Sequence, residues 1–315
     1  MINPMPPSSF AAAYCLDLIA GDPQGMPHPV RLMGQAISQG ERWLRHPAAP
    51  ANEVLNGAAL TGLIAGGSWF AATLVIRAGG VWGEVLLAWT TLATRSLLDE
   101  SSAVLDALDQ DDLALARNRL AMIVGRDTQA LEEPEIVRAV IETIAEGLCD
   151  GVVAPLFYLA VGGLPLAFAY KAVNTLDSMI GHPEAPYRYF GRVPARLDDF
   201  ANFIPARLAA LAIVTGSFLM NRDPHRAWQV FLRDGNNHPS PNAGQPEAAM
   251  AGALGVRLGG MNYYEGNPSP KPLLGGEGRC PTRADARDAL QIALIGSLTV
   301  FTVGWLWAMW RSHRS

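Results

Sequence analysis

Ala289–Trp310 reads "ALQIALIGSLTVFTVGWLWAMW", twenty-two residues without a charge. A helix that crosses a bilayer needs about 20 mostly apolar residues, and this stretch supplies them. Trp305, Trp307 and Trp310 gather at its end, followed by Arg311 and Arg314. Aromatic rings at the headgroup level, then cations, mark a membrane boundary and place that end on the cytoplasmic side. Working outward, Val54–Ile76 is also long and uncharged, and Val152–Tyr170 is uncharged but broken at Gly162-Gly163 and Pro165. That break predicts a kinked or re-entrant segment, tolerable where protein or water meets the opened backbone. Two weaker segments are 81–94, which carries Glu84, and 208–220. The connection Arg77–Gly80 predicts a hairpin between the first two.

Composition agrees with a membrane setting. Half of the 315 residues are hydrophobic and 17% are charged, against roughly 25% in average soluble proteins. The net charge is −5 and no basic stripe alternates with aromatics, which argues against a nucleic-acid partner. Cys15, Cys149 and Cys280 lack disulfide or zinc spacing and read as buried spectator thiols. The apolar run 10–20, interrupted by Asp17, reads as a partly buried first helix rather than a cleaved signal.

The expected fold is therefore all-α. It is a single polytopic integral membrane domain over residues 1–315, with large helical polar loops (21–53, 95–151, 171–207, 221–288) on one face. Leu98, Leu105, Leu108, Leu113 and Leu120 recur at roughly helical spacing, and Pro134 opens a further helix ending near Gly151. No convincing alternating strand is read.

The chemistry-bearing residues fall in the loops. "GDPQGMPHPVRLMG" (21–34) holds Asp22, His28 and Arg31; "VGRDT" (124–128) holds Arg126 and Asp127. Glu142 and Glu146 share one helical face, where like charges call for a cation or a proton between them; Asp150 follows. "YKAVNTLDSMIG" (170–181) offers Lys171, Asn174 and Asp177, a set suited to a phosphate and a hard cation. "GRVPARLDDFANFIPARL" (191–208) adds Arg192, Arg196 and Arg207 as forked donors and Asp198 and Asp199 as metal oxygens. Arg207, at the membrane boundary, needs a partner. "HPSPNAGQPEAAM" (238–250) reads as a proline-fixed loop feeding a helix through Gly244 or Gln245 as cap, with Glu247 in the acid-favouring first turn. The unpaired N–H groups of such a helix start suit an anion. Each cluster also has a plainer reading as a turn, a solvated face or an internal ion pair. No phosphate-binding GxxxxGK[ST] loop, GxGxxG, HExxH, GxSxG or CxxC is present.

These motifs in this order, together with "AEGLCDGVVAPLFY" (145–158), resemble the adenosylcobinamide-phosphate synthase family of cobalamin biosynthesis membrane proteins, CobD/CbiB, from about Leu16 to about Gly276. The family commonly has "AEN" where this chain has "AEG", at Gly147. The resemblance implies a multi-pass inner-membrane enzyme with its active-site loops on the cytoplasmic face. It implies ATP- and Mg²⁺-dependent amide formation between a propionate carboxylate of adenosylcobyric acid and aminopropanol or its phosphate. The lipid bilayer and a complex with other late-pathway enzymes are the further partners expected.

By the same resemblance Glu142, Glu146, Lys171 and Asp177 are the catalytic candidates. Glu146, Asp150, Asp177, Asp198 and Asp199 are the metal candidates. Asp22, His28, Arg31, Arg126, Asp127, Asn174, Arg192, Arg196, Asn202, Arg207, His238, Ser240, Asn242 and Glu247 are the substrate-binding candidates, with Arg126, Lys171 and Arg192 on phosphates. His182 is given no role. A corrinoid-binding scaffold or transporter is the alternative. It is disfavoured because the charged motifs lie in loops rather than at the middle of paired spans. A lipid phosphotransferase would share the carboxylates.

Overall fold

In the computed structural model, which describes residues 5–22, 25, 28–45, 49–182 and 184–314, 73% of the chain is helical. Pro23, Gln24, Met26 and Pro27 of the 21–34 motif lie outside the described residues. The chain divides into two compact units. One comprises 1–93, 154–202 and 301–315; the other comprises 94–153 and 203–300.

The first unit holds α1 (Pro7–Ala20), α2 (Pro29–Leu44), α3 (Pro50–Trp89), α7 (Ala154–Ile180) and α8 (Arg192–Ala201). Proline stands at the start of α1, α2 and α3, where its missing N–H costs no hydrogen bond. Ile37 of α2, Leu60 of α3, Leu176 and Ile180 of α7, and Phe190 pack into one buried cluster. The hairpin expected at Arg77–Gly80 is present. Gly80 takes φ 54° and ψ −143°, a conformation open essentially to glycine. Beyond it Gly83 packs against Val75, with only 3.0 Å from its Cβ position to the Val75 carbonyl oxygen. In a straight helix eight residues would hold those positions about 12 Å apart. The expected break in 152–170 falls at Gly163 (φ 70°, ψ −170°), two residues before Pro165.

The second unit holds α4 (Thr94–Asp109), α5 (Leu113–Leu120), α6 (Glu133–Leu148), a π-helical turn at Cys149–Val153, α9 (Phe203–Leu219), α10 (Pro224–Asp234) and α11 (Gly244–Leu254). It also contains what the sequence reading missed, an antiparallel hairpin of β1 (Leu258–Tyr264) and β2 (Asn267–Leu274). Glu265 and Gly266, with φ 51° and 78°, form a two-residue turn of the primed kind that matches strand twist. Pro268, Pro270 and Pro272 argue against a strand only if its N–H groups are needed. They alternate with Asn267, Ser269 and Lys271, so donors remain at every second position for β1 and the outer edge is poor in donors. Such an edge resists pairing with another chain.

α12 (Arg283–Ser312) contains the opening stretch. Among the described residues three helical stretches are long and apolar enough to cross a membrane: 50–109, 133–180 and 283–312; α8 with α9 as one bent pair would be a fourth. The most apolar window is 17% buried in the first and 28% in the third, but 67% in the second. Leu63, Trp82, Val303 and Leu306 are among the large side chains left exposed, as a lipid-facing surface requires, whereas the second stretch packs largely inside the protein. Of the three thiols only Cys149 is buried; Cys15 and Cys280 are exposed, which corrects the expectation of burial for those two, and none of the three is in a disulfide.

Candidate functional site

In the second unit the polar residues converge on Glu142. Its Oε2 accepts from Arg126 Nη2 at 2.5 Å, and its Oε1 accepts from the Gly259 N–H at 2.8 Å and from Arg138 Nη1 at 3.3 Å. Arg126 Nη1 and Arg138 Nη1 also donate to Asn262 Oδ1, at 2.8 and 3.2 Å. Arg138 further holds the carbonyls of Gly259 and Met261, at 2.5 and 3.1 Å. The Glu142 carboxylate is thus matched by a pair of guanidiniums. Burial works to lower the Arg126 pKa, but the Glu142 carboxylate overrides it and holds the guanidinium charged. Removing one partner from such a buried pair leaves an uncompensated charge.

The neighbouring Asp127 holds the hairpin turn. Its carboxylate accepts from the turn N–H groups of Glu265 (3.2 Å) and Gly266 (2.7 Å), and its own N–H donates to the Tyr263 carbonyl. VGRDT is therefore a clamp that, with α6, seats the β1–β2 hairpin. Beside it lies a cavity of about 590 Å³, bounded by Arg126, Thr128, Leu131, Glu135 and Tyr263 among others.

The 238–250 loop behaves partly as read. α11 begins at Gly244, so its cap is Ala243, which has no side chain to offer; the sequence reading placed the cap at Gly244 or Gln245. Ser240 Oγ takes that role for the loop, accepting from the N–H groups of Asn242 and Ala243. His238 Nδ1 lies 3.0 Å from the Ser240 N and 3.3 Å from the Ser240 carbonyl oxygen; the shorter contact, in which Nδ1 accepts, assigns the ring proton of the neutral imidazole to Nε2. Burial, then the Lys271 ammonium, pulls His238 down to about 4. All of α11 is buried, Glu247 included at 2% exposure. Burial, with the Glu142 and Glu146 carboxylates adding to it, pushes Glu247 well above the ordinary carboxylate range. Glu146 itself is exposed and Asp150 lies in the π-helical turn. Arg207 finds its partners in the Phe203 ring, 3.7 Å away, the Phe203 carbonyl and Asn242 Oδ1. At Gly147 the Leu97 side chain occupies the space a side chain would need, 2.7 Å from a Cβ there.

In the first unit Asn174, Asp198 and Asn202, from two separate motifs, come together. Buried Asp198 accepts from Asn202 Nδ2 at 3.0 Å and Asn174 Nδ2 at 3.4 Å, and Tyr170 donates to Asn202 Oδ1 at 2.9 Å. Lys171 and Asp177 sit half-buried on α7. A second cavity, about 380 Å³, is lined by His182, Arg188, Arg192, Arg196 and Asp199. Three exposed guanidiniums around one concavity make a site for a phosphate or carboxylate. Arg188 was missed, the four-residue step 188, 192, 196 being the available signal, and His182, given no role from the sequence, lines the cavity. His28 Nε2 lies 3.3 Å from Asp22 Oδ1 without hydrogen-bond geometry, and Arg31 is exposed on α2. Among the described residues no three His, Cys, Asp or Glu side chains converge as a metal site. Mg²⁺ needs only one or two carboxylates beside substrate phosphates, so Asp177 and Asp199 still fit it as donors.

A family model described as CobD/Cbib protein matches residues 10–293. The chain is 50% identical over 270 residues to the Cobalamin biosynthesis protein CobD of Geobacter metallireducens, covering 84% of each chain. It is 40% identical over 308 residues to the protein of that name in Listeria monocytogenes, covering 93% of this chain and 95% of the relative. With the Yersinia enterocolitica protein it shares 42% over 299 residues, 92% of this chain and 94% of the relative. No solved structure matches.

Proposed function

On the premise that the chain belongs to the CobD/CbiB family and serves cobalamin biosynthesis, we propose that it is the amide-forming enzyme adenosylcobinamide-phosphate synthase. It joins a corrin propionate carboxylate of adenosylcobyric acid to the amine of aminopropanol or its phosphate. The observation that carries this reading is the family match across residues 10–293. A carboxylate is a poor acyl donor because its oxygen is a poor leaving group. ATP with Mg²⁺ supplies the activation that makes that oxygen displaceable, giving the amide, ADP and phosphate.

This chain's own residues position and neutralise. Arg192 and Arg196, joined by Arg188, present forked donors to the oxyanions on which charge accumulates. Lys171 and Asp177 on α7 are the candidates for a phosphate contact and a metal or base contact. Glu142 and Arg126 serve the reaction indirectly, by seating the hairpin. Active-site loops on the cytoplasmic face of the inner membrane would meet soluble ATP and corrinoid.

The test is product formation by detergent-purified protein given adenosylcobyric acid, aminopropanol phosphate, ATP and Mg²⁺, with each component omitted in turn. Amide that requires ATP and is lost in Lys171→Ala and Asp177→Ala supports the ligase. Corrinoid binding without amide replaces it with a scaffold whose chemistry a partner supplies.

A further inference from the structure

Among the described residues of the second unit, two side-chain nitrogens are buried and lack a hydrogen-bond partner, Asn262 Nδ2 and His238 Nε2. Leaving a buried donor unpaired costs about 1–3 kcal/mol, so such groups call for an explanation. Neither can turn its acceptor atom inward instead. Asn262 is 1% exposed, and its oxygen is fixed by Arg126 and Arg138, which keeps the amide N–H₂ on the other side. His238 has its Nδ1 fixed by the Ser240 N–H.

The hairpin register adds a cation. Asn262 pairs with Ser269 and Gly260 with Lys271, so Asn262 and Lys271 are diagonal neighbours on one face of the sheet. Lys271 is half exposed, which puts it on the solvent side of the cluster, and its charge reaches both His238 and Glu247. The charge of Glu142 is already matched by Arg126 and Arg138. We propose that Asn262, His238 and Lys271 form an oxyanion site for the phosphate of a phosphorylated substrate, with the hairpin contributing two of the three groups. Burial pushes Glu247, beside them, above the ordinary carboxylate range, which lessens its repulsion of an anion. The site deepens the ligase reading, and the identity of its phosphate source rests on that reading.

The test titrates the full-length protein in detergent, without turnover, with inorganic phosphate, O-phosphoethanolamine and ATP in separate arms. Asn262→Asp keeps the oxygen that both guanidiniums hold and removes the donor. Lys271→Met lies outside the clamp and removes only the cation. Each should weaken binding of the same probe at least about tenfold, as expected for a hydrogen bond to a charged group, with melting temperatures close to that of the parent. Binding of O-phosphoethanolamine but not ATP assigns the site to the acceptor's phosphate, and the reverse assigns it to the nucleotide. Variants that bind within about twofold of the parent, or a parent that binds none of the probes, overturn the site. If both variants lose binding while even the parent makes no amide, the oxyanion site stands and the ligase falls. If both variants bind phosphate and make amide like the parent, the ligase stands and this site falls.

Discussion

In Val124–Thr128 the guanidinium of Arg126 is buried against Glu142 and Asn262, whereas in Gly191–Leu208 Arg192 and Arg196 remain exposed around a cavity shared with Arg188. As sequence the two motifs are alike, each an arginine beside an aspartate in a polar loop. The difference lies in what the rest of the chain brings to them. Arg126 meets a carboxylate from α6 and an amide from a strand distant in sequence, and those use its donors to hold a fold. Arg192 and Arg196 share their concavity with Arg188 and with a single carboxylate, Asp199, beside Arg196, so the three guanidiniums keep a surplus of donors for a ligand. An arginine therefore reads as structural or ligand-facing by its tertiary partners, not by its motif.

The largest expected effect attacks the clamp. Glu142→Ala leaves Arg126 and Arg138 buried without their carboxylate and should cost about 3–5 kcal/mol, read as a lower melting temperature in detergent and faster proteolysis at the hairpin. A loss under about 1 kcal/mol would break the contrast, because the clamp would then carry no more than a surface pair does.

Titration of the same unit comes next. Folded His238, near 4, stays neutral where the unfolded residue, near 6.5, takes a proton. Its stabilising contribution is present above 6.5 and fades as pH falls towards 4, by up to roughly 3 kcal/mol. His238→Gln should remove that slope from a plot of stability against pH. Glu247 runs the other way, because its folded pKa is raised. Its contribution is present below the unfolded value of 4.5 and is lost as pH rises through the folded one. Glu247→Gln should therefore be the more stable protein at pH 8.

Arg192→Ala combined with Arg196→Ala sharpens the other side of the comparison. Stability should stay within about 0.5 kcal/mol, while the Kd for the phosphate-bearing or carboxylate substrate rises at least about tenfold. A stability loss comparable with that of Glu142→Ala would show these arginines to be structural after all. The smallest effect is expected for Asp127→Ala, which removes two exposed turn hydrogen bonds. About 0.5–1.5 kcal/mol should be lost, seen most clearly as faster amide exchange at Glu265 and Gly266.

Much of the helical framework was legible in the residues themselves. Long uncharged runs can satisfy their backbone in an apolar medium only as helix, so 54–76 and 289–310 announced themselves. Gly80 and Gly163 were readable as breaks because they interrupt those runs. The family resemblance was readable too, since it depends on order and identity along the chain. The β1–β2 hairpin was not. Three prolines hide its alternation, and it exists because Glu142, Arg138 and Asp127 hold its backbone from elsewhere in the second unit. The placement of Lys271 within reach of His238 and Glu247 was hidden for the same reason. Local pattern reports what a segment can do with its own backbone and with solvent. Which charged groups neutralise one another, and which donors stay buried and unpaired, depends on pairings across more than a hundred residues that only the folded chain makes.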